Sequence, residues 1–246
     1  MKLWWMFWLL LIMGCIQNQP QPVQEITTTA TINAAGLDLK ALGELVKQCK
    51  TAVEIEQRLN QPGGINNLDL NNTGTVDYIH VTEYVSTNNG RGFSFTVIGK
   101  TGEKQEIATI EISNVNSQAN VVIAGNPNVY GDNQYYTVCW AMNDVLLWHY
   151  LWAPHRYYCS PYHYGHYPGY YHPYRPLAYD DYHAHMTTYT KTTVINKTVV
   201  NKTYVSKSPN ARYAKRLMTG KIRSSASAKA SRTSSSIPHS SSRGRR

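Results

Sequence analysis

Oxygen-bearing side chains crowd one short stretch of the chain. In LDLNNTGTVDYIHV, Asp69, Asn71, Thr73, Thr75 and Asp77 fall on alternate residues, with Gly74 between Thr73 and Thr75. Oxygen ligands at the first, third, fifth, seventh and ninth places, with glycine at the sixth, are the pattern of a calcium loop. Thr75 would lend its main-chain carbonyl. The pattern fails at the twelfth place, where His80 stands instead of a bidentate Glu, and it weakens at Thr73. Two carboxylates suit a weak site, with a dissociation constant of about 0.1–1 mM. The other reading is a plain turn, because Asn, Asp and Gly close turns through local hydrogen bonds. Both readings stay open on the sequence.

A second group of candidate ligands lies in SPYHYGHYPGYYHPYRP. His163, His166 and His172, with His183 and His185 beyond, would offer imidazoles to zinc or copper. The alternative is an adhesive low-complexity tract in which histidine is one more ring, and this is the reading the composition favours. No HExxH, paired CxxC, GxSxG or P-loop occurs, so no spacing for catalysis is present and the chain reads as non-enzymatic. Three cysteines follow Cys15. Cys139 and Cys159 are the expected disulfide in an oxidising compartment, and Cys49 on a predicted helix is expected in the core.

The chain begins MKLWWMFWLLLIMGC, one positive charge and then an apolar run too short to span a bilayer, which needs about 20 residues. It suits a secretory signal over residues 1–15. Ile12, Gly14 and Cys15 match a bacterial lipobox, so Cys15 is the expected lipidated residue and the membrane the expected anchor. Ile16 after it, rather than Asp, points to the outer membrane. Residues 16–35 are Gln-, Pro- and Thr-rich and read as a tether.

The run LNQPGGINNLDLNNTGTVDYIHV, followed by EIATIEI and GNPNVYGDN, resembles a family of uncharacterised bacterial exported proteins and lipoproteins. Its members carry an acidic DxDxDG loop before a DYI strand. The resemblance spans roughly residues 37–136, and Asn71 and Thr73 depart from the acidic pattern. It implies an envelope location and a small α+β domain, and supplies no activity.

The elements that would position these residues follow from periodicity. Leu39, Leu42, Leu45 and Val46 recur at helical spacing over about 38–48, and Thr51–Glu54 is a capping box opening a second helix through Leu59. Strands are expected near 75–85, 92–99, 105–113 and 120–125, with short turns that favour an antiparallel meander. The predicted fold is α+β: two short helices on a meander of about four strands, over residues 36–136. Residues 137–190 are expected to carry a short apolar helix within 140–152 and then an extended, partly polyproline segment, its tyrosines lying on the domain or on a partner.

Charge divides the chain. Residues 16–181 hold nine Lys/Arg against fifteen Asp/Glu, whereas residues 182–246 hold fourteen Lys/Arg and no acid. The tail over 191–246 is expected to be disordered and to attract acidic envelope polymers or nucleic acid without reading sequence. The competing reading is a tail that folds back on its own acidic domain. The function these features suggest is a lipid-anchored, non-enzymatic envelope protein, with a periplasmic transition-metal binder as the alternative.

Overall fold

A computed structural model describes residues 36–131, 134–190, 204 and 206–211. The expected signal, Cys15 and the tether lie outside the described residues, as does most of the tail.

The fold is α+β. Asp38 accepts the amides of Lys40 (2.7 Å) and Ala41 (3.0 Å) and so opens α1, Leu39–Gln48. Thr51 accepts from the Glu54 amide at 3.2 Å to open α2, Ala52–Leu59. The Glu54 carboxylate reaches back one residue further than a capping box requires, to the Lys50 amide at 2.7 Å. Five strands follow in an antiparallel meander with sheet order matching chain order. They are β1 Ile79–Val85, β2 Arg91–Ile98, β3 Lys104–Val115, β4 Gln118–Gly125 and β5 Tyr135–Ala141. A single turn, α3 Pro127–Tyr130, links β4 to β5; α4 Trp148–Trp152 and α5 Tyr179–Thr190 come after the sheet.

The end of β5 lies where a helix is expected. Tyr136, Val138 and Trp140 point into the core while the residues between them are half-buried or exposed, which is a strand's period of two. The helix expected within 140–152 shrinks to α4, and the expected domain boundary at 136–137 falls inside β5.

One face of the sheet is apolar. Phe93, Phe95, Ile110, Ile112, Val121, Ile123 and Val138 all lie on it and are buried under α1 and α2. α1 approaches β4 closely: a Cβ on Gly43 would stand 2.5 Å from the Ile123 Cδ1 atom, so glycine permits the contact. α5 packs on α1 and contributes Tyr182 and Met186 to the same core.

The edge strand β1 is sealed by side chains and by the aromatic tract. Asn60, at the end of α2, accepts the Ile79 amide and donates to the Ile79 carbonyl, both at 2.8 Å. Glu56, fully buried in α2, accepts the Val81 amide at 2.8 Å. Residues 158–160 then pair as a short extra strand: the Glu83 amide donates to the Tyr158 carbonyl (2.7 Å) and the Ser160 amide to the Val81 carbonyl (2.9 Å). An open edge of this length would be a template for pairing with another chain, and here its outward groups from the Ile79 amide to the Glu83 amide are paired.

This placement overturns the expected Cys139–Cys159 bridge. Cys159 pairs with Thr82 outside β1, Cys139 sits in β5 at the opposite edge, and both are free thiols. Five strand spacings of about 4.8 Å separate them, against the roughly 4.4–6.8 Å between Cα atoms that a disulfide spans. Cys49 is buried in the core as expected, its thiol pushed up to about 12 mainly by burial, so it is inert at neutral pH.

Candidate functional site

The second face of the sheet is polar over β1, β2 and β3. From β1 it carries His80, Thr82 and Tyr84; from β2 Gly92, Ser94 and Thr96; from β3 Glu106, Thr109 and Glu111. Glu106 joins this face only because of a bulge. The register jumps between Phe95 opposite Ala108 and Thr96 opposite Glu106, leaving Ile107 as an extra residue. An extra residue inverts the side-chain alternation, so an even-numbered glutamate shares a face with Thr109 and Glu111.

Both glutamates are buried and their donors are hydroxyls and a main-chain amide. Glu106 Oε2 accepts from Ser94 Oγ at 2.7 Å and from Ser208 Oγ. Glu111 accepts from Tyr84 OH at 2.9 Å, from Ser86 Oγ and, at 3.4 Å, from the Lys207 amide. Tyr84 reaches Glu111 by lying flat across Gly92, where a Cβ would run into the ring. Burial raises the Glu106 carboxyl from its ordinary value, the Ser208 and Ser94 hydroxyls pull it back in part, and the Glu111 charge adds to the rise. A raised carboxyl favours the protonated folded state, so its contribution to stability is present below the ordinary carboxylate pKa and lost as pH rises through the folded value. His80 is held down to about 4, chiefly by burial, and therefore stays neutral. Its Nδ1 faces the Thr96 carbonyl at 3.3 Å.

Residues 206–211 cover this face. Ser208 and Asn210 are buried there, and Asn210 Nδ2 donates to Ser94 Oγ at 3.0 Å. The Tyr204 ring lies 5.9 Å from that of Tyr135 at the far side of the sheet. These residues belong to the tail expected to be disordered. Their side chains find acceptors in the acidic domain, the fold-back alternative, whereas the remainder of 191–246 is outside the described residues.

The Asp69 loop gathers all five of its candidate residues but directs much of their capacity to its own closure. Asp69 accepts the amides of Thr73 and Gly74, both at 2.9 Å. Asp77 accepts the Leu70 amide (2.7 Å) and Asn71 Nδ2 (3.1 Å), while the Thr73 and Thr75 hydroxyls face each other at 2.9 Å. Burial pushes the Asp77 carboxyl up to about 6, against the Leu70 amide and with help from the Asp69 charge. A carboxylate has about four lone-pair sites, so an ion could still share these oxygens. His80 points to the polar face and leaves the twelfth place without a ligand to the loop.

The histidine tract is ordered around two residues. His163 and His166 pair across a tight turn at Tyr164–Gly165, with ring centroids 4.3 Å apart. His172 is exposed, and His185 Nε2 faces the Gly63 carbonyl at 2.9 Å. Among the described residues no three His, Cys, Asp or Glu side chains are grouped to hold a metal ion.

The tyrosines lie on the domain. Tyr171 donates to the Val76 carbonyl (3.0 Å), Tyr174 to the Asn66 carbonyl (2.9 Å) and Tyr182 to the Ile65 carbonyl (2.9 Å). Tyr78 and Ser160 both donate to Glu56 Oε1 at 2.8 Å. Glu83, buried in β1, accepts from Tyr150 OH at 3.0 Å and faces His155 Nε2 at 2.9 Å. Burial opposes a charge on His155, yet its contacts with the Ala153 carbonyl and Glu83 outweigh this and raise its pKa.

Comparison of the chain with protein-family models, curated proteins and solved structures finds no match.

Proposed function

We propose that this chain is a non-enzymatic envelope protein, anchored in the outer membrane through lipidated Cys15, whose cationic tail engages acidic polymers. The single observation that carries the reading is the division of charge: every acidic residue precedes position 182, and fourteen Lys/Arg follow it. Residues 206–211 are seated on the chain's own sheet, so the charges offered to a polymer are those of the tail outside that segment. Lipopolysaccharide phosphates, cell-wall polymers and nucleic acid share the anionic chemistry that such a tail attracts. A weak calcium site at Asp69 and Asp77 belongs to the same reading, as a clip on the turn that leads into β1.

Truncation after residue 190 tests the tail. Each phosphate neutralised contributes about −0.9 to the slope of log affinity against log salt on duplex DNA and about −0.7 on single strands. The full chain should give a slope of several such steps, and the truncated chain a slope near zero. Equal slopes would remove the tail from polymer binding. Replacing Cys15 by Ala should leave the protein unprocessed or release it from the membrane, and retention at mature size would contradict the anchor.

The second reading, a transition-metal binder, rests on the facing pair His163 and His166. Zinc or copper that co-purifies and is lost in a His163→Ala, His166→Ala variant would favour it.

A further inference from the structure

We propose that the polar face of β1–β3 is a peptide-docking site for a Ser-Lys-Ser-Pro-Asn segment, which the chain's own tail occupies in cis and which the same segment of a second copy can replace. The inference does not depend on the membrane anchor or on polyanion binding.

The sheet supplies the acceptors of the site. Ser94, Glu106 and Glu111 are buried polar side chains that take no part in strand pairing, and a bulge turns Glu106 toward them. Their spacing matches the segment's side chains. Ser208 Oγ donates to Glu106, Asn210 Nδ2 to Ser94 Oγ, and the Lys207 amide to Glu111. The segment also holds its own shape. The Ser208 amide donates to Ser206 Oγ (3.1 Å) and the Asn210 amide to Ser208 Oγ (3.0 Å), which turns the chain between the two buried side chains. Lys207 and Pro209 face outward. Recognition is therefore by hydroxyl and amide donors to two carboxylates and a serine, rather than by net charge.

Among the described residues, side-chain and amide bonds hold the segment to the sheet, without a strand ladder. Thirteen residues, 191–203, separate the end of α5 from Tyr204. Extended, they reach about 43 Å, more than the width of a small domain, so a neighbouring copy lies within range.

The test uses the full-length protein with a specific protease site inserted after Val199. The folded chain is cut, its released tail is removed by dialysis in excess peptide and then buffer, and a peptide of residues 204–212 is titrated in while backbone amide resonances are followed. About 1 M salt is used throughout, where the Debye length is about 3 Å and simple charge attraction is screened. The expected result is saturable binding, with shifts centred on Ser94, Glu106 and Glu111. Ser208→Ala plus Asn210→Ala in the peptide should weaken binding at least tenfold, and so should Glu106→Gln in the body, whose melting temperature reports that it is still folded. Absence of saturable shifts, shifts elsewhere on the body, or equal binding by a peptide of scrambled order would each overturn the proposal.

Discussion

Two segments downstream of the sheet cover it, and they do so in different ways. The aromatic tract, residues 153–190, sends tyrosine hydroxyls to main-chain carbonyls at Val76, Asn66 and Ile65, adds a rung to β1 and buries Tyr182 and Met186. Residues 206–211 send two small polar side chains and one amide to the polar face. The tract thus satisfies groups that the folded domain could not leave unpaired, and it buries apolar surface as well. The tail segment satisfies carboxylates that already have other donors and that water could reach if it left. A composition rich in Tyr, Pro and His is here part of the fold, while residues 206–211 are, as proposed, an exchangeable occupant.

The largest expected effect comes from removing the acceptor that ties the tract to the core. Glu56→Ala takes their acceptor from the Val81 amide, Tyr78 OH and Ser160 Oγ, and leaves Tyr78 OH only its 3.3 Å contact with Tyr170 OH. Buried groups left without partners cost about 1–3 kcal/mol each, so denaturant unfolding should show a loss of roughly 3–5 kcal/mol. A loss below about 1 kcal/mol would mean that the tract is merely draped over the domain.

Gly92→Ala should act on the other face. The new methyl displaces Tyr84 from its path to Glu111, and overpacking of this kind costs about 1–3 kcal/mol. The same variant with Tyr84→Phe should lose little more, because the bond to Glu111 is already broken; fully additive losses would show that the two residues act separately.

Ser208→Ala with Asn210→Ala should change global stability by less than about 1 kcal/mol, since water is available to the freed groups. Its effect should instead appear in faster amide exchange across residues 206–211. Unchanged exchange there would place the segment with the tract, inside the fold.

The smallest effect is calcium's. At an ion concentration equal to the dissociation constant the gain is only about 0.4 kcal/mol, so tens of millimolar ion and matched ionic strength are needed. Because Asp77 is raised to about 6, its proton competes with the metal. The gain in melting temperature should be larger at pH 7.5 than at pH 5.5, and Asp69→Ala plus Asp77→Ala should abolish it. A gain independent of pH would separate the ion from Asp77.

Local signals make the first half of the fold legible. Thr51 caps α2 where expected, α1 lies within the expected 38–48, and the four anticipated strands are β1 to β4 with ends within a few residues. β5 is hidden because Trp140 and the apolar residues after it suggest a helix, although Tyr136, Val138 and Trp140 already alternate. α5 is hidden because its only buried residues are Tyr182 and Met186, too few for a periodic stripe. In the site, the stripe Gly92, Ser94, Thr96 between Phe93, Phe95 and Val97 is readable as a polar face. Glu106 is not, because the bulge at Ile107 breaks the period that would have aligned it with Glu111. Contacts between residues about a hundred positions apart, such as Ser208 with Glu106, leave no local pattern at all.

Native-state amide exchange on the full-length protein tests the contrast most directly. If the tract belongs to the fold and the tail segment is an occupant, the amides of Val81, Glu83 and Ser160 exchange only through global unfolding, with the free energy measured by denaturant. The amides of Lys207 and Asn210 exchange through local release, faster by several orders of magnitude. Protection of Asn210 equal to that of Val81 would contradict the account, as would loss of protection at Val81 and Ser160 under conditions where the core strands remain protected.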